Sequence, residues 1–183
     1  YYVAATSGSS VLVTMKQNYL DYCECASAFW DDGTFRRDGY LLKEYNTMPD
    51  GSGESYSPGS KVYHVTGDGS YLTLYCIWEK CADAGDFTVA DAFFAAPSGV
   101  NRNDIPEWHD SGVKITGYTG SHDTLAIPET IGGKTVIGIS AGAFRDASFT
   151  TLLLPRTLEY IEDGAFVGCS SLTTLYFPDS IYS

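Results

Sequence analysis

The chain has three histidines, so imidazole-dependent catalysis or metal binding would have to use His64, His109 or His122. Two of them precede an aspartate, in His109-Asp110 and His122-Asp123, a dipeptide that also occurs in metal-dependent sites. A metal site needs three or four ligands at defined spacing, and no further ligands follow either pair at helical spacing. The sequence therefore predicts exposed loop histidines and neither a metal nor a cofactor.

Five cysteines could serve as metal ligands, disulfide partners or nucleophiles: Cys23, Cys25, Cys76, Cys81 and Cys169. An odd number leaves at least one thiol outside any disulfide within the chain. For the first four cysteines, three alternatives are open: a zinc site, one or two disulfides, or buried thiols. The single residue between Cys23 and Cys25 is a shorter gap than the one between most pairs of zinc ligands. Cys169 has no histidine within forty residues, so we expect a buried structural thiol.

Two glycine-rich segments resemble ligand-binding loops only in composition. Residues 50–54 (DGSGE) lack the alternating Asp/Asn ligands of an EF-hand loop and therefore predict a turn. Residues 131–135 (IGGKT) lack the full spacing of a phosphate-binding loop. No carboxylate pair or histidine–nucleophile pair has a spacing that would assemble a hydrolytic site, so we predict that the protein is not an enzyme.

Composition narrows the class of partner and the location. The formal net charge is −12 and no basic cluster occurs, which argues against nucleic acid and anionic membranes as partners. The chain has no apolar run long enough for membrane insertion and no signal-peptide core. It opens at Tyr1 without Met and is rich in Tyr, Gly, Ser and Thr, so we expect a β-rich extracellular piece of a longer protein.

The last third of the chain contains an internal repeat. Residues 149–155 (FTTLLLP) return as residues 172–178 (LTTLYFP), 23 residues later, and Ala143-Phe144 returns as Ala165-Phe166, 22 residues later. Self-similarity at this period is typical of a leucine-rich solenoid. The pattern predicts three rungs, with inward lanes formed by Leu125, Leu152, Leu175 and by Ile127, Leu154, Phe177.

The positions between these lanes should point away from the core. They form a candidate protein-binding face of the solenoid: Thr124, Ala126, Thr151, Leu153, Thr174 and Tyr176. An exposed apolar and aromatic lane is a common way for a solenoid to bind a partner. The alternative is that neighbouring structure covers these side chains.

Other parts of each repeat are also predicted from the pattern. Ile139 matches Ile161, and Phe144 and Phe166 each follow five residues later, so they should pack the opposite side of each coil. Residues 131–136 lengthen the first interval and are predicted to form a loop, because insertions in repeats map to loops.

The first eighty residues show alternating strand patterns and one short helical pattern. Strands are predicted at residues 9–16, 39–47, 61–65 and 71–79, with a short helix at 24–30. In the last strand the core-facing set should be Leu72, Leu74, Cys76 and Trp78.

Residues 39–47 (GYLLKEYNT), 49–53 (PDGSG) and 72–79 (LTLYCIWE) resemble the internalin B-type repeat, also called the Listeria–Bacteroides repeat. The resemblance covers about residues 9–80. It implies a small β-grasp-like module of bacterial surface proteins, used as a spacer or binding unit, and implies no chemistry.

Residues 81–111 should link this module to the solenoid. Residues 86–96 fit either a strand or a strand followed by a short helix. Four aromatic residues, Phe87, Phe93, Phe94 and Trp108, are too many for a solvated linker, and a solenoid needs its open end covered. We therefore predict that residues 81–111 form an N-terminal cap.

The pair Ile127-Pro128, residues 164–166 (GAF) and residues 168–173 (GCSSLT) are similar to the BspA-type leucine-rich repeat, and the likeness spans residues 113–183. Ending within a repeat, the chain is expected to have been followed by further coils. The predicted architecture is β-rich α+β: a β-grasp-like module at 1–80, the cap at 81–111, and about three repeats at 112–183.

These resemblances imply a non-catalytic fragment of a bacterial cell-surface or secreted protein. The leading hypothesis is adhesion or protein binding through the solenoid face, with a host or bacterial surface protein as partner. The alternative is a structural stalk or spacer without a ligand of its own. A hydrolytic enzyme is the third and least supported hypothesis.

Overall fold

In a computed structural model, the described residues are 2–4, 12–16, 37–57, 71–93 and 111–177. The chain divides into two compact units, Tyr1–Glu79 and Lys80–Ser183. Strands dominate both, and within the described ranges the only helical segment is a 3-10 turn at Ala84–Asp86. The predicted helix at 24–30, the predicted strand at 61–65 and four single residues lie outside the described ranges: Cys23, Cys25, His64 and His109.

The first unit is built on one five-stranded sheet. Its strands are β1 (Tyr2–Ala4), β2 (Leu12–Lys16), β3 (Tyr40–Asn46), β4 (Ser55–Tyr56) and β5 (Tyr71–Lys80), in the order β1-β2-β5-β3-β4. Strand β2 pairs antiparallel with β1 and with β5, and β3 pairs antiparallel with β4. The predicted strands at 39–47 and 71–79 correspond to β3 and β5, and the predicted strand at 9–16 corresponds to β2 over residues 12–16, since residues 9–11 lie outside the described ranges.

Alternation along β5 follows the predicted pattern at Leu74 and Cys76, whereas Trp78, which was also predicted to face the core, is half-buried. Leu74 and Cys76 are buried, whereas Tyr75 and Ile77 between them are half-buried. Apolar side chains at every second position of a strand share one face, so Leu74 and Cys76 lie on the core side of β5. Tyr45 on β3 is buried as well.

The second unit contains the coils of the solenoid. Its strands are β6 (Phe87–Phe93), β7 (Ser111–Tyr118), β8 (Thr124–Ala126), β9 (Thr130–Ile131), β10 (Lys134–Ile139), β11 (Thr151–Leu153), β12 (Tyr160–Ile161) and β13 (Thr174–Tyr176). One sheet has the order β12-β10-β7-β6 and the other has the order β13-β11-β8. Each coil contributes one strand to each sheet: β7 and β8, then β10 and β11, then β12 and β13.

The register of these sheets confirms the alignment of the rungs. Leu152 pairs with Leu125 on one side and with Leu175 on the other, in parallel strands. In the second sheet Ile139 pairs with Ile161. The inward prediction is wrong for Phe177, which is 59% exposed, because no described residue stacks on the third coil as that coil stacks on the second.

Among the described residues of the second unit, a hydrophobic cluster draws on both sheets. Ala143, Phe144, Ala165 and Phe166 belong to it or pack against it, as the repeat predicted. The rings of Phe144 and Phe166 stack with their centroids 5.5 Å apart. Aromatic stacking therefore connects the second coil to the third.

The insertion in the first interval is a β-hairpin rather than an irregular loop. Strands β9 and β10 pair antiparallel across the two-residue turn Gly132-Gly133. Both glycines have positive φ, 61° and 76°, which a tight hairpin turn requires and which side chains with a Cβ rarely adopt.

Residues 80–93 lie along the first coil. Strand β6 pairs antiparallel with β7 over its whole length, from Phe87 opposite Tyr118 to Phe93 opposite Ser111. At the other sheet, the backbone N–H of Ala82 donates to the carbonyl of Ala126 at 2.9 Å. Both sheets therefore have backbone partners on the side of the first coil.

Candidate functional site

The candidate binding face is the outer side of the three-stranded sheet β13-β11-β8. Because the strands are parallel and in register, Thr124, Thr151 and Thr174 form one row across it. Thr174 is exposed, and the other two are half-buried. We call these three residues the threonine row.

The second outward row differs from the prediction. Ala126 and Leu153 are each only 1% exposed, and Tyr176 is half-buried. The predicted exposure of Leu153 is therefore wrong. Alternation does separate Leu153 from the core residues Leu152 and Leu154, but Leu153 is covered on the outward face of β11, where Thr151 is half-buried. Alternation reveals which side a residue faces, and not what covers that side.

Threonine hydroxyls form hydrogen bonds between successive coils at the positions where their strands begin. The hydroxyl of Thr150 donates to the carbonyl of Asp123 at 3.3 Å, and that of Thr173 donates to the carbonyl of Thr150 at 3.2 Å. The backbone N–H groups of Thr150 and Thr173 donate to the same two carbonyls. At each position, the hydroxyl and the N–H of one threonine donate to the same carbonyl. These paired hydrogen bonds hold the threonine row, which lies one residue further along the chain, in register.

His122 lies in an exposed loop, as predicted. Its Nδ1 is 2.9 Å from the Tyr118 hydroxyl and 3.8 Å from a carboxylate oxygen of Asp86. Burial raises the pKa of Tyr118, so this phenol stays protonated at neutral pH. Among the residues whose placement is described, no three His, Cys, Asp or Glu side chains are grouped to hold a metal ion.

Cys169 is placed as a structural thiol. It packs against the hydrophobic cluster, and its Sγ donates to the carbonyl of Phe144 at 2.9 Å. Burial raises the pKa of the thiol. The thiolate, which is the nucleophilic form, is therefore disfavoured.

The turn at residues 50–54 is organised by a residue that sequence reasoning missed. Asn46 is fully buried, and its Oδ1 accepts hydrogen bonds from the N–H groups of Met48 at 2.9 Å and Gly53 at 3.0 Å. Asp50 accepts bonds from the hydroxyl and the N–H of Ser52. These bonds lower the pKa of Asp50, and its carboxylate serves the turn as predicted.

Glu162 joins three neighbouring segments of the second unit. One carboxylate oxygen accepts from Nζ of Lys114 on β7 at 2.8 Å, and the other accepts from the backbone N–H of Ala141 at 3.0 Å. The bond from Lys114, followed by that from Ala141, lowers the pKa of Glu162, and the bond to Glu162 raises the pKa of Lys114. No signal in the sequence marked this contact.

The Glu162 contact predicts a pH-dependent stability. A carboxyl whose pKa is lower in the folded chain stabilises it above the unfolded pKa, about 4.3 for glutamate, and loses that contribution as the pH falls through the folded value. Glu162→Gln should therefore lower the melting temperature most near neutral pH and least in acid. Thermal unfolding from neutral to acidic pH measures this difference.

Asp163→Asn is the control for that series, because it removes a neighbouring exposed carboxylate and the same unit of charge. A constant melting-temperature difference between Glu162→Gln and the parent at every pH would contradict the prediction.

No helix among the described residues is long and apolar enough to cross a bilayer.

The family model described as "BspA type Leucine rich repeat region (6 copies)" matches residues 125–183. The crystal structure of the T. pallidum leucine rich repeat protein is similar at 25% identity and a TM-score of 0.44, covering 56% of this chain and 41% of that one. A search of curated proteins found no match. The predicted BspA-type repeats are confirmed by the family match.

Proposed function

From the BspA-type leucine-rich repeats of residues 125–183, we propose that the chain is a non-catalytic protein-binding module of a bacterial cell-surface or secreted protein. The observation that carries the proposal is the in-register stacking of β8, β11 and β13. Such stacking presents side chains in straight rows over a rigid sheet, and solenoids use such sheets to bind proteins.

The binding surface we propose is the threonine row with Tyr176. Ala126 and Leu153, the other members of the predicted face, are buried and cannot reach a partner without rearrangement. The accessible part of this surface therefore carries mainly hydroxyl groups. Such a surface is better suited to forming hydrogen bonds with a polar protein surface than to binding an apolar side chain of the partner.

We assign supporting roles to the other segments. Residues 9–80 act as an internalin B-type, β-grasp-like spacer, a proposal supported by the five-stranded sheet that contains β3 and β5. Residues 81–111 act as the N-terminal cap of the solenoid. The pairing of β6 with β7 and the bond from Ala82 to Ala126 support that role, because they occupy the backbone edges of the first coil.

A structural stalk is the second candidate, and the burial of Leu153 favours it. With Ala126 and Leu153 covered, the sheet lacks the exposed apolar lane on which strong protein binding usually depends. In that case both units would only set the distance between other parts of a surface protein.

A cell-binding assay distinguishes the protein-binding module from the structural stalk. Fluorescently labelled chain is titrated onto intact host and bacterial cells, before and after protease treatment of the cell surface. Saturable, protease-sensitive binding that weakens by about tenfold or more in Thr151→Glu/Thr174→Glu supports the binding module, since buried charge without a partner is costly at an interface.

The matched control is Thr88→Glu/Thr130→Glu, which adds the same two charges at exposed threonines of β6 and β9. It should bind like the parent. Absence of saturable binding by a folded parent, or equal loss in both double variants, would exclude the proposed face and favour the stalk.

A further inference from the structure

Strand β6 has a pairing partner on one side only among the described residues. It is the last strand of the sheet β12-β10-β7-β6 and pairs with β7. The register of this pairing shifts between Thr88 and Val89, and from Val89 to Phe93 the pairs follow one another without interruption. An edge strand carries a row of backbone N–H and C=O groups that can pair with a further strand. We call residues 89–93 (VADAF) the edge segment.

Side chains of the edge segment are open to solvent. Ala90 and Asp91 are exposed, and Phe93 is 79% exposed, more than any other large hydrophobic residue that the structure describes. A strand that pairs with β6 would therefore meet no bulky obstacle at these side chains and would find an apolar ring to cover at Phe93.

The edge segment lacks several features with which proteins protect an open strand. Such features include proline, lysine and an uncompensated charge that a pairing strand would have to bury. The segment contains neither proline nor lysine, and its one charged residue, Asp91, forms an ion pair with Lys134 of β10. Because β7 lies between β6 and β10, this ion pair reaches across β7 and compensates the charge on the side away from the open edge.

Charge favours a basic partner over a second copy of this chain. Residues 80–183 contain thirteen acidic and six basic side chains, and therefore carry a formal charge of −7 within a chain of −12. Two of the basic side chains, Lys114 and Lys134, are already bonded to carboxylates. Two aspartates, Asp83 and Asp86, lie just before β6. Like charges oppose self-association, whereas a field of this sign attracts a basic polypeptide.

We propose that the edge segment binds an extended, basic segment of another protein, which adds a strand to the sheet beside β6. Backbone hydrogen bonds between the two strands supply the affinity, and the side chains along them select the partner. An apolar residue of the partner covers Phe93, and its basic residues lie on the side of Asp83. This site is separate from the threonine row, so the proposal goes beyond the binding role proposed above and does not depend on it.

Fluorescence anisotropy with a labelled peptide tests this site. The probe is a capped ten-residue peptide of alternating lysine and valine, which the parent should bind saturably with a dissociation constant of about 1 to 100 µM. Ala90→Lys should raise that constant by about tenfold or more, because it places a like charge beside the added strand. The Ala90 side chain is exposed, so the variant should fold, which circular dichroism checks.

The matched control is Ala141→Lys, which adds the same charge at an exposed alanine on the turn of the second coil. It should bind the peptide like the parent. Two control peptides should bind at least about tenfold more weakly than the probe: one with glutamate in place of lysine, and one methylated at every backbone nitrogen, which keeps the charge and removes the donors. Hydrogen exchange of residues 89–93 should slow when the probe binds.

Four results would each overturn the proposal. They are no saturable binding of the probe up to about 1 mM, equal affinity for either control peptide, equal loss in the two lysine variants, and unchanged hydrogen exchange of residues 89–93 in the complex. Self-association of the parent that Ala90→Lys abolishes would also overturn it, because the occupant of the edge would then be a second copy.

Discussion

Replacing Phe144 with alanine is expected to lower the free energy of unfolding of the Lys80–Ser183 unit by about 3–5 kcal/mol. The Phe144 side chain is 1% exposed. Its ring stacks on Phe166 at 5.5 Å and meets Phe149 edge-on at 5.7 Å between centroids, with Tyr118 at 5.6 Å. Since these rings belong to all three coils, the cavity left by the deletion cannot collapse without shifting a coil.

The matched substitution is Phe177→Ala, at a phenylalanine of the adjacent coil that is 59% exposed. Its cost should stay within about 0.5 kcal/mol. Urea denaturation is followed by hydrogen exchange of residues 111–177, so that the measurement reports on the Lys80–Ser183 unit. Equal losses in the two variants would show that Phe144 does not anchor the core.

Replacing Asn46 with alanine is expected to destabilise the first unit by about 2–4 kcal/mol, because two backbone donors lose their acceptor. The Oδ1 atom of Asn46 accepts from Met48 and Gly53, and its Nδ2 donates to the carbonyl of Gly51 at 3.1 Å and the hydroxyl of Ser55 at 3.0 Å. Since the side chain is fully buried, water does not replace these partners. The turn between β3 and β4 should open.

Asn46→Asp separates the roles of the two side-chain atoms through pH. The acceptor stays, but the second oxygen replaces a donor that lies 3.2 Å from a carboxylate oxygen of Glu44. Repulsion and burial raise the folded pKa of the new carboxyl above its unfolded value of about 3.9. Stability should therefore fall as the pH rises from about 4 through the folded pKa.

Urea denaturation of both Asn46 variants from acidic to neutral pH measures this difference, with hydrogen exchange of residues 40–56 reporting on the turn. Asn46→Ala should show the pH dependence of the parent. An Asn46→Asp variant whose deficit does not change with pH would contradict the buried geometry of this side chain.

The repeated part of the fold could be predicted from the sequence because its determinants are local and periodic. The pairing of Leu125, Leu152 and Leu175 follows from equal offsets between leucines and prolines, and parallel stacking turns those offsets directly into register. The strands of the first unit were predicted from alternation for the same reason. The BspA-type family model matches residues 125–183, within the predicted repeats.

Features that depend on distant residues could not be predicted in this way. Alternation placed Leu153 outside the core, but its burial depends on contacts that a repeat pattern does not contain. Phe177 occupies an inward position and is exposed because burial of that position needs a following coil. Glu162 bonds to Lys114 and Ala141, which are 48 and 21 residues away. Asn46 bonds only to residues within nine positions of itself, but neither residue belongs to a motif.

Local residues alone indicate the hairpin at Gly132-Gly133. Gly132-Gly133 separates two short β-prone segments, which is a hairpin pattern, and the insertion was predicted only as a loop. The threonine row and Tyr176 remain a proposed binding surface.

The antiparallel pairing of β6 with β7 has a mechanical consequence. Phe87 lies opposite Tyr118 at the open end of this pair, so tension applied between the two ends of the chain loads one hydrogen-bonded rung at a time. Tension from the N-terminal side reaches the bond from the N–H of Ala82 to the carbonyl of Ala126 first and then the bond from the N–H of Thr119 to the carbonyl of Asp86, each 2.9 Å long. Under such tension, residues 80–93 would therefore unzip from β7 rung by rung and lengthen the chain while the coils stay stacked.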